Sequence, residues 1–300
     1  MTKRGLLATV SLAALAIAGA LPEALAYVRS GPTVMPSGHH RLRTPTATAP
    51  VDPVEANISV AYGLRRLRTA FGSSNLIRLR RASDDLGVLF NAPDGDLDMT
   101  AIGAHCAATT CWVTQLNDQS GISRHLTQAT NANQPQFILN CVGNRPCIRF
   151  TASTQTLVAA AGMTPTSPVS LSAVANRVGT TGTAYVLRLN GGTGNHIRTV
   201  STPQWTVHNG TTGVPVAAAD NVWHAATGVL KGVSSYITTD EVSSTFANLV
   251  PSVTAGAPGI VGATGMTLDW VEGLAWSNRE LTSGEIAALQ QNQRDYWMLP

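Results

Sequence analysis

Charged residues are scarce in this sequence. Asp, Glu, Lys and Arg make up 12% of its 300 residues, against about 25% in an ordinary soluble domain. The hydrophobic fraction is 44%, which excludes disorder for most of the chain because disordered chains are charge-rich and poor in apolar residues. The sequence also lacks a Gly-X-Y period and a long heptad run, which excludes collagen and coiled coil.

The positive net charge belongs to the N-terminal part of the chain. The whole sequence carries a formal charge of +3, but residues 27–50 alone contain Arg29, Arg41 and Arg43 and no acid. The remainder is close to neutral. A nearly neutral domain has no general attraction for a polyanion, so we expect no nucleic-acid partner.

The N-terminus has the features of a secretory signal peptide. Basic Lys3-Arg4 precedes an apolar stretch, and Ala24-Leu25-Ala26 has the small residues of a cleavage site. We predict a signal peptide over residues 1–26 and an exported protein. The alternative is an uncleaved membrane anchor, for which the apolar run is short. No later stretch is apolar enough to cross a membrane.

Residues 27–53 are predicted to be a flexible linker. They contain five prolines among Ser, Thr, Gly and Ala, with no apolar period. The pair His39-His40 in this segment is a poor metal site. Residues 54–300 are predicted to form one folded domain.

Four cysteines follow the signal peptide, namely Cys106, Cys111, Cys141 and Cys147. An even number in an exported protein favours disulfides, and four cysteines allow three connectivities. Pairing of sequence neighbours is the simplest of the three. The absence of a Cys-x-x-Cys pair argues against zinc. We predict no metal site and no cofactor.

The domain is predicted to be mainly β-structure. Near-helical spacing of apolar residues predicts a helix over Val54–Phe71, and Asp98 is expected to cap a short helix that runs through Ala107. The capping box Thr282-Ser-Gly-Glu285 predicts a C-terminal helix. The predicted strands are Ile77–Arg80, Cys111–Leu116, Phe137–Leu139, Ile148–Phe150, Val169–Asn176, Ala184–Leu189, His196–Val200, Gln204–Val207, Trp223–Leu230, Ser234–Thr238, Gly259–Val261 and Leu268–Trp276.

Short strands at this spacing are typical of an all-β sandwich or jelly roll with a few short helices. No glycine-rich phosphate loop follows a strand, which excludes a nucleotide-binding fold. No Gly-x-Ser-x-Gly segment occurs, which argues against a Ser/His/Asp hydrolase.

Three consecutive motifs resemble a known enzyme family. They are Cys106-Ala-Ala-Thr-Thr-Cys111, Asp118-Gln-Ser-Gly121 and His125-Leu-Thr-Gln-Ala129, and they resemble the catalytic domain of α-L-arabinofuranosidase B in sequence and in order. The resemblance implies a concanavalin-like, or laminin-G-like, β-sandwich jelly roll. It also implies retaining hydrolysis of terminal arabinofuranosyl groups of plant polysaccharides, by two carboxyl groups about 5–5.5 Å apart.

The sequence departs from this family where the two carboxylates belong. The family's nucleophile segment corresponds to Trp205–Asn209 and its acid segment to Gly262–Gly265, and neither contains an acid. The catalytic residues are therefore unassigned, with Asp269 and Glu272 as candidates. Strand alternation sends these two side chains to opposite faces unless a bulge intervenes. Asp118 is expected to order its own loop.

Two functions remain open. One is a secreted arabinofuranosidase, and the other is a non-catalytic glycan-binding or surface module on the same fold. Trp205, Asn209 and Trp270 are candidates for substrate binding, with core packing as the alternative for the tryptophans. Either function implies a polysaccharide or oligosaccharide partner. A third possibility is an exported structural protein without a ligand.

Overall fold

The computed structural model describes residues 49–73, 75–179, 181–191 and 194–300. These residues belong to one compact unit, which spans Pro45–Pro300. The predicted signal peptide (1–26) and most of the predicted linker lie outside the described residues. No helix within the described ranges is long and apolar enough to cross a membrane.

The folded domain begins earlier than predicted. Val51 is fully buried, and its N–H donates to the carbonyl of Leu67 at 3.1 Å. Ala49 is also buried, and Asp52–Val54 forms a 3₁₀ turn. The linker boundary at residue 53 is therefore too late, because residues 49–53 are packed against the domain.

The described residues contain two α-helices, α1 (Met99–His105) and α2 (Ser283–Trp297), and further 3₁₀ turns at Thr69–Phe71 and Asn131–Asn133. The strands are β1 Ile58–Gly63, β2 Ile77–Arg81, β3 Gly87–Phe90, β4 Cys111–Leu116, β5 Leu126–Thr127, β6 Gln136–Val142, β7 Arg145–Phe150, β8 Thr156–Ala159, β9 Val169–Val178, β10 Ala184–Arg188, β11 His196–Val200, β12 Gln204–His208, β13 Gly213–Ala217, β14 Trp223–Leu230, β15 Gly232–Thr239, β16 Val242–Ser243, β17 Ala247–Leu249, β18 Gly259–Val261 and β19 Thr267–Ser277.

These strands form an antiparallel sheet that folds into two layers. The first layer has the order β1–β19–β9–β14–β15. The second layer has the order β3–β2–β4–β5–β8–β18–β10–β11–β12–β13. Strands β6 and β7 connect the layers, since β6 pairs with β4 and β7 pairs with β19. The chain is an all-β sandwich, as predicted.

The core lies between the two layers. On β12 the alternating residues Trp205 and Val207 point inward and are buried. Val207 meets β14 so closely that a Cβ atom added to Gly228 would lie 2.5 Å from the valine side chain. A glycine at this position therefore lets the layers approach.

The predicted helix over Val54–Phe71 is wrong. This segment contains β1, which pairs with β19 and is buried at all six positions. Val60 and Tyr62 contribute to the main core, whereas Ile58 and Ala61 contribute to a second cluster beneath α2. A strand that is apolar on both faces loses its period of two, and its apolar spacing then imitates a helix.

The two α-helices form where their caps were predicted. Asp98 accepts from the N–H of Ala101 at 3.0 Å. Thr282 and Glu285 make a reciprocal capping box at the start of α2. Helix α2 covers the outer face of the first layer, where Gln290 donates to the Thr227 hydroxyl at 3.3 Å.

Both disulfides join sequence neighbours. Cys106–Cys111 connects the end of α1 to β4, and Cys141–Cys147 connects β6 to β7. Of the three possible connectivities, the simplest is therefore the one present. Each bond closes a short loop and fixes a local turn.

Candidate functional site

The Asn117–Arg124 loop is organised by the buried carboxylate of Asp118. Its Oδ1 accepts from the N–H groups of Ala61 and Ser120, both at 2.9 Å. Its Oδ2 accepts from the Ser120 hydroxyl at 2.7 Å and from the Arg124 N–H at 3.1 Å. The predicted structural role of Asp118 is confirmed, since its bonds order the loop.

A β-bulge at Val271 brings Asp269 and Glu272 to the same face of β19. Trp270 lies opposite Ala175 and Glu272 lies opposite Val174, so that Val271 has no partner in the register with β9. The bulge is the exception that the sequence analysis allowed for. Both carboxylates consequently project from the outer face of the first layer, away from the core between the layers.

Neither of these two carboxylates is free. Glu272 is completely buried beneath α2, where it accepts from Arg65 Nε at 2.9 Å, Trp297 Nε1 at 3.1 Å and Gln293 Nε2 at 2.9 Å. Asp269 is 3% exposed and holds Arg149 in a bidentate pair at 2.7 and 2.9 Å. Both residues are ion-pair partners within the fold.

Every described carboxylate interacts with another group of the protein. Of the 17 Asp and Glu residues only Glu23 lies outside the described ranges. The others form ion pairs, hydrogen bonds to the backbone or hydrogen bonds to other side chains. The described residues therefore hold no unengaged acid.

Two surface cavities each contain a single carboxylate. One, of about 330 Å³, lies between α2 and residues 49–54 and includes Glu285. The other, of about 370 Å³, lies over β2 and β4 and includes Asp85. A retaining glycosidase needs two carboxyl groups across one sugar-binding cavity. Neither cavity provides them.

The three proposed substrate-binding residues are engaged elsewhere. Trp205 and Trp270 are 1% and 0% exposed and pack in the core, so core packing, the alternative considered for them, is what the structure shows. Asn209 orders the turn after β12, because its Oδ1 accepts from the N–H groups of Thr211 and Thr212. Neither tryptophan presents a surface to a sugar, and the side-chain oxygen of Asn209 is engaged within its own turn.

The outer face of the second layer instead carries a cluster of basic and aromatic side chains. In the register of β10, β11 and β12, Arg188 pairs with His196, Tyr185 with Arg198, and His196 with His208. Paired residues project to one side of a sheet, and their inward neighbours fill the core. We call the group of Tyr185, Arg188, His196, Arg198 and His208 the basic face.

Two stacked imidazoles form the centre of the basic face. The rings of His196 and His208 are 4.8 Å apart and tilted by 13°, and Tyr185 meets His196 edge-on at 4.9 Å. His196 Nδ1 donates to the carbonyl of Gly194 at 2.7 Å, which leaves Nε2 as an acceptor. That Nε2 atom is buried and has no partner among the described residues.

Both histidines are neutral near pH 7. Burial, assisted by His208 and the two arginines, lowers the pKa of His196 to about 3. Burial and the charge of Arg198 lower the pKa of His208 to about 4. His208 Nδ1 accepts from the N–H of Gly210 at 2.9 Å, so its proton lies on Nε2. The pair therefore offers one acceptor and one donor.

Acidification should destabilise the protein through His196. Between pH 6.5 and the folded-state pKa, the unfolded chain binds a proton that the folded chain does not, so stability falls as pH falls. From pH 7 to pH 5 we expect His196 to account for a loss of about 2 kcal/mol. Urea unfolding of the parent and of His196→Asn at both pH values measures this contribution of His196 to the free energy of unfolding. An equal pH dependence in the two proteins would contradict the expectation.

Arg188 and Arg198 complete the basic face with unpaired positive charge. Both side chains are half-buried, and neither makes an ion pair or a side-chain hydrogen bond with any described residue. The Nε atom of each is buried without a partner. Buried polar groups normally find partners, and the exceptions are often at functional sites. The arrangement can bind a ligand rich in oxygen atoms.

The comparisons with known proteins identify the fold. No model of a protein family matches the sequence, and the search of curated proteins returns no match. Among solved structures, a GH54 α-L-arabinofuranosidase soaked with a cyclic sulfate inhibitor is similar over 81% of this chain, with a TM-score of 0.65 and 17% sequence identity. The chain has the arabinofuranosidase fold.

Two further structures agree with this result. A glutamate-to-glutamine mutant of a GH54 arabinofuranosidase, soaked with 4-nitrophenyl α-L-arabinofuranoside, has a TM-score of 0.65 and 18% identity. An arabinofuranosidase complexed with arabinofuranosyl-α-1,2-xylobiose has a TM-score of 0.64 and 18% identity. The chain spans 65–66% of the length of these solved arabinofuranosidases.

The segment matched by sequence to the family's nucleophile, Trp205–Asn209, consists of the end of β12 and the residue after it. Its outward residues are Thr206 and His208, and no acid occurs on the strand. The segment matched by sequence to the family's acid, Gly262–Gly265, follows β18 and also contains no acid. His208 of the matched segment belongs to the basic face, whose residues were not among the predicted site residues.

Proposed function

We propose that this protein is an exported glycan-binding protein that binds its ligand on the basic face and does not hydrolyse it. The observation that carries the proposal is the engagement of every described carboxylate within the fold. Hydrolysis by the two-carboxylate mechanism needs one acid and one nucleophile at the glycosidic bond. The basic face has neither, and the segment matched by sequence to the family's nucleophile contains no acid.

The chemistry of the basic face suits a polyhydroxylated ligand. Sugar hydroxyls both donate and accept, and the face offers the His196 Nε2 acceptor, the His208 Nε2 donor and two guanidinium groups. The half-buried ring of Tyr185 supplies an aromatic surface against which a sugar ring can pack. A few well-placed polar groups beside an aromatic surface are typical of small-ligand sites.

Export is supported by the N-terminal sequence and by the disulfides. Residues 1–26 have the basic, apolar and small-residue segments of a signal peptide. Both pairs of cysteines in the described domain are disulfide-bonded, and disulfides persist in oxidising compartments. A polysaccharide ligand outside the cytoplasm is consistent with this location.

Two assays on the folded protein test the proposal. We expect no release of nitrophenol from 4-nitrophenyl α-L-arabinofuranoside, and retardation of the protein in native gels that contain an immobilised polysaccharide. In those gels Tyr185→Ala should weaken binding about tenfold through the loss of the stacking surface. The matched control is Tyr236→Ala, which removes a half-buried tyrosine from β15 in the first layer.

Each of the other outcomes would overturn the proposal. The parent could release nitrophenol, and Asp269→Asn or Glu272→Gln could lose this activity while remaining as fully folded as the parent. That result would establish hydrolysis, the activity named for the solved arabinofuranosidases. Equal binding by the parent and Tyr185→Ala, with weaker binding by Tyr236→Ala, would place the site on the first layer.

A further inference from the structure

We infer that the glycan bound on the basic face is acidic, and that Arg188 and Arg198 bind its carboxylate or sulfate groups. This inference rests on the proposed function and adds the chemical class of the ligand. Uronic-acid polymers supply carboxylates and sulfated polysaccharides supply sulfates. Both present oxygen atoms in the geometry that a guanidinium group binds with two parallel hydrogen bonds.

Positive charge is concentrated in the middle of the sequence. Residues 119–219 contain six arginines and no Asp, Glu or Lys. Three of the six find an acid elsewhere in the chain: Arg145 pairs with Asp96, Arg149 with Asp269, and Arg177 with Asp220. The Arg124 guanidinium donates to the carbonyl of Ser59. Only Arg188 and Arg198 in this span have no such partner among the described residues.

Arg188 and Arg198 lie close together on neighbouring strands of the basic face. Arg198 lies two residues beyond His196 on β11, and Arg188 lies opposite His196 on β10, so that both guanidinium groups flank the stacked histidines. The histidines are uncharged near pH 7 and cannot be the source of repulsion or of attraction there. The two arginines therefore define a compact positive site on a domain that is otherwise close to neutral.

The guanidinium groups of Arg188 and Arg198 are partly removed from water. Arg188 Nε and Arg198 Nε are both buried and unpaired, and burial lowers the pKa of Arg188. A charged donor that is partly removed from water gains more from an anionic acceptor than a solvated one does. Net charge over the whole sequence does not reveal such a site, because the acids that balance the arginines are paired elsewhere.

The experiment compares three polysaccharides with the full-length protein in native affinity gels. They are polygalacturonate, carrageenan and neutral arabinan. We expect retardation by at least one acidic polymer at about tenfold lower polymer concentration than by arabinan. We also expect this retardation to weaken when salt is raised, because screening acts on charge pairs. Polygalacturonate carries carboxylates without sulfates and carrageenan carries sulfates without carboxylates, so the two polymers distinguish the anionic groups.

The variant Arg188→Gln/Arg198→Gln should lose tenfold or more of its affinity for the acidic polymer. The matched control is Arg78→Gln together with Arg66→Gln, which removes the same charge from sites away from the basic face and should leave binding unchanged. Thermal unfolding reports whether each variant is folded. If the glutamine variant does not fold, Arg188→Lys/Arg198→Lys keeps the charge without the planar fork and should show reduced, salt-sensitive binding.

The possible results separate the inference from the proposed function. Equal binding of arabinan and the acidic polymers, insensitive to salt, would overturn the acidic ligand and leave glycan binding intact. Binding of none of the three would overturn the proposed function itself. Acidic binding that is lost equally in the matched control would overturn the assignment to Arg188 and Arg198.

Discussion

Glu272→Gln is expected to lower the free energy of unfolding by about 3–5 kcal/mol. The substitution keeps the size of the side chain but removes the charge that compensates Arg65, which is 3% exposed. The guanidinium of Arg65 also stacks on Tyr296, with its carbon 4.2 Å from the ring centroid. One uncompensated buried charge therefore lies where α2 meets the first layer, and helix docking should weaken. Urea unfolding followed by circular dichroism measures the change.

Glu280→Gln is the matched control for this prediction. Glu280 pairs with Lys231 on the surface, where the carboxylate is 41% exposed, and exposed pairs contribute about 0–1 kcal/mol. If both variants lost the same stability, the burial of the Arg65–Glu272 pair would not be the cause. A Glu272→Gln protein with parental stability would contradict the structural role assigned to this residue.

Trp270→Ala is expected to destabilise the domain by about 3–5 kcal/mol, the range for the truncation of a large aromatic residue in a core. The indole is fully buried, and it packs so closely on β19 that a Cβ atom added to Gly273 would lie 3.1 Å from it. Its removal leaves a cavity between the two layers beside Leu187. The thermal midpoint and the urea midpoint should both fall.

Trp270→Phe separates packing from hydrogen bonding at this position. The indole Nε1 is buried without a partner, so phenylalanine removes an unsatisfied donor together with part of the ring, and the loss should be smaller than in Trp270→Ala. Phe246→Ala is the surface control, since Phe246 is 71% exposed and a change within about 0.5 kcal/mol is expected. A large loss in Phe246→Ala alone would contradict this account of the core.

The strands could be predicted from the sequence because turn residues separate short apolar runs. The predicted Gln204–Val207 became β12, Gln204–His208, and the predicted Leu268–Trp276 became β19, Thr267–Ser277. Prediction failed at β1, whose two faces enter two different clusters. It also missed the short strands β3, β5, β8, β16 and β17. It missed β13 as well, where Pro215 in an edge strand weakens the strand signal.

The site could be predicted only in part. The resemblance matched Trp205–Asn209 to the family's nucleophile segment, and the absence of an acid there is visible in the sequence. The contact between His196 and His208 was not, because it depends on the register of β11 with β12 across a turn. The alternation of residues along each strand predicts that each histidine faces outward. It does not predict that the two histidines stack on each other, or that two arginines without an ion-pair partner lie beside them.

The pairing of β1 with β19 has a consequence for the order of folding. The first and the last strand of the sandwich lie side by side, with Ile58 opposite Trp276. During synthesis the chain therefore cannot complete the first layer before β19 has been translated. Contacts so distant in sequence form slowly, because the loop between them must close first. The domain should remain open and accessible to chaperones until β19 has left the ribosome, and should reach protease resistance only after that.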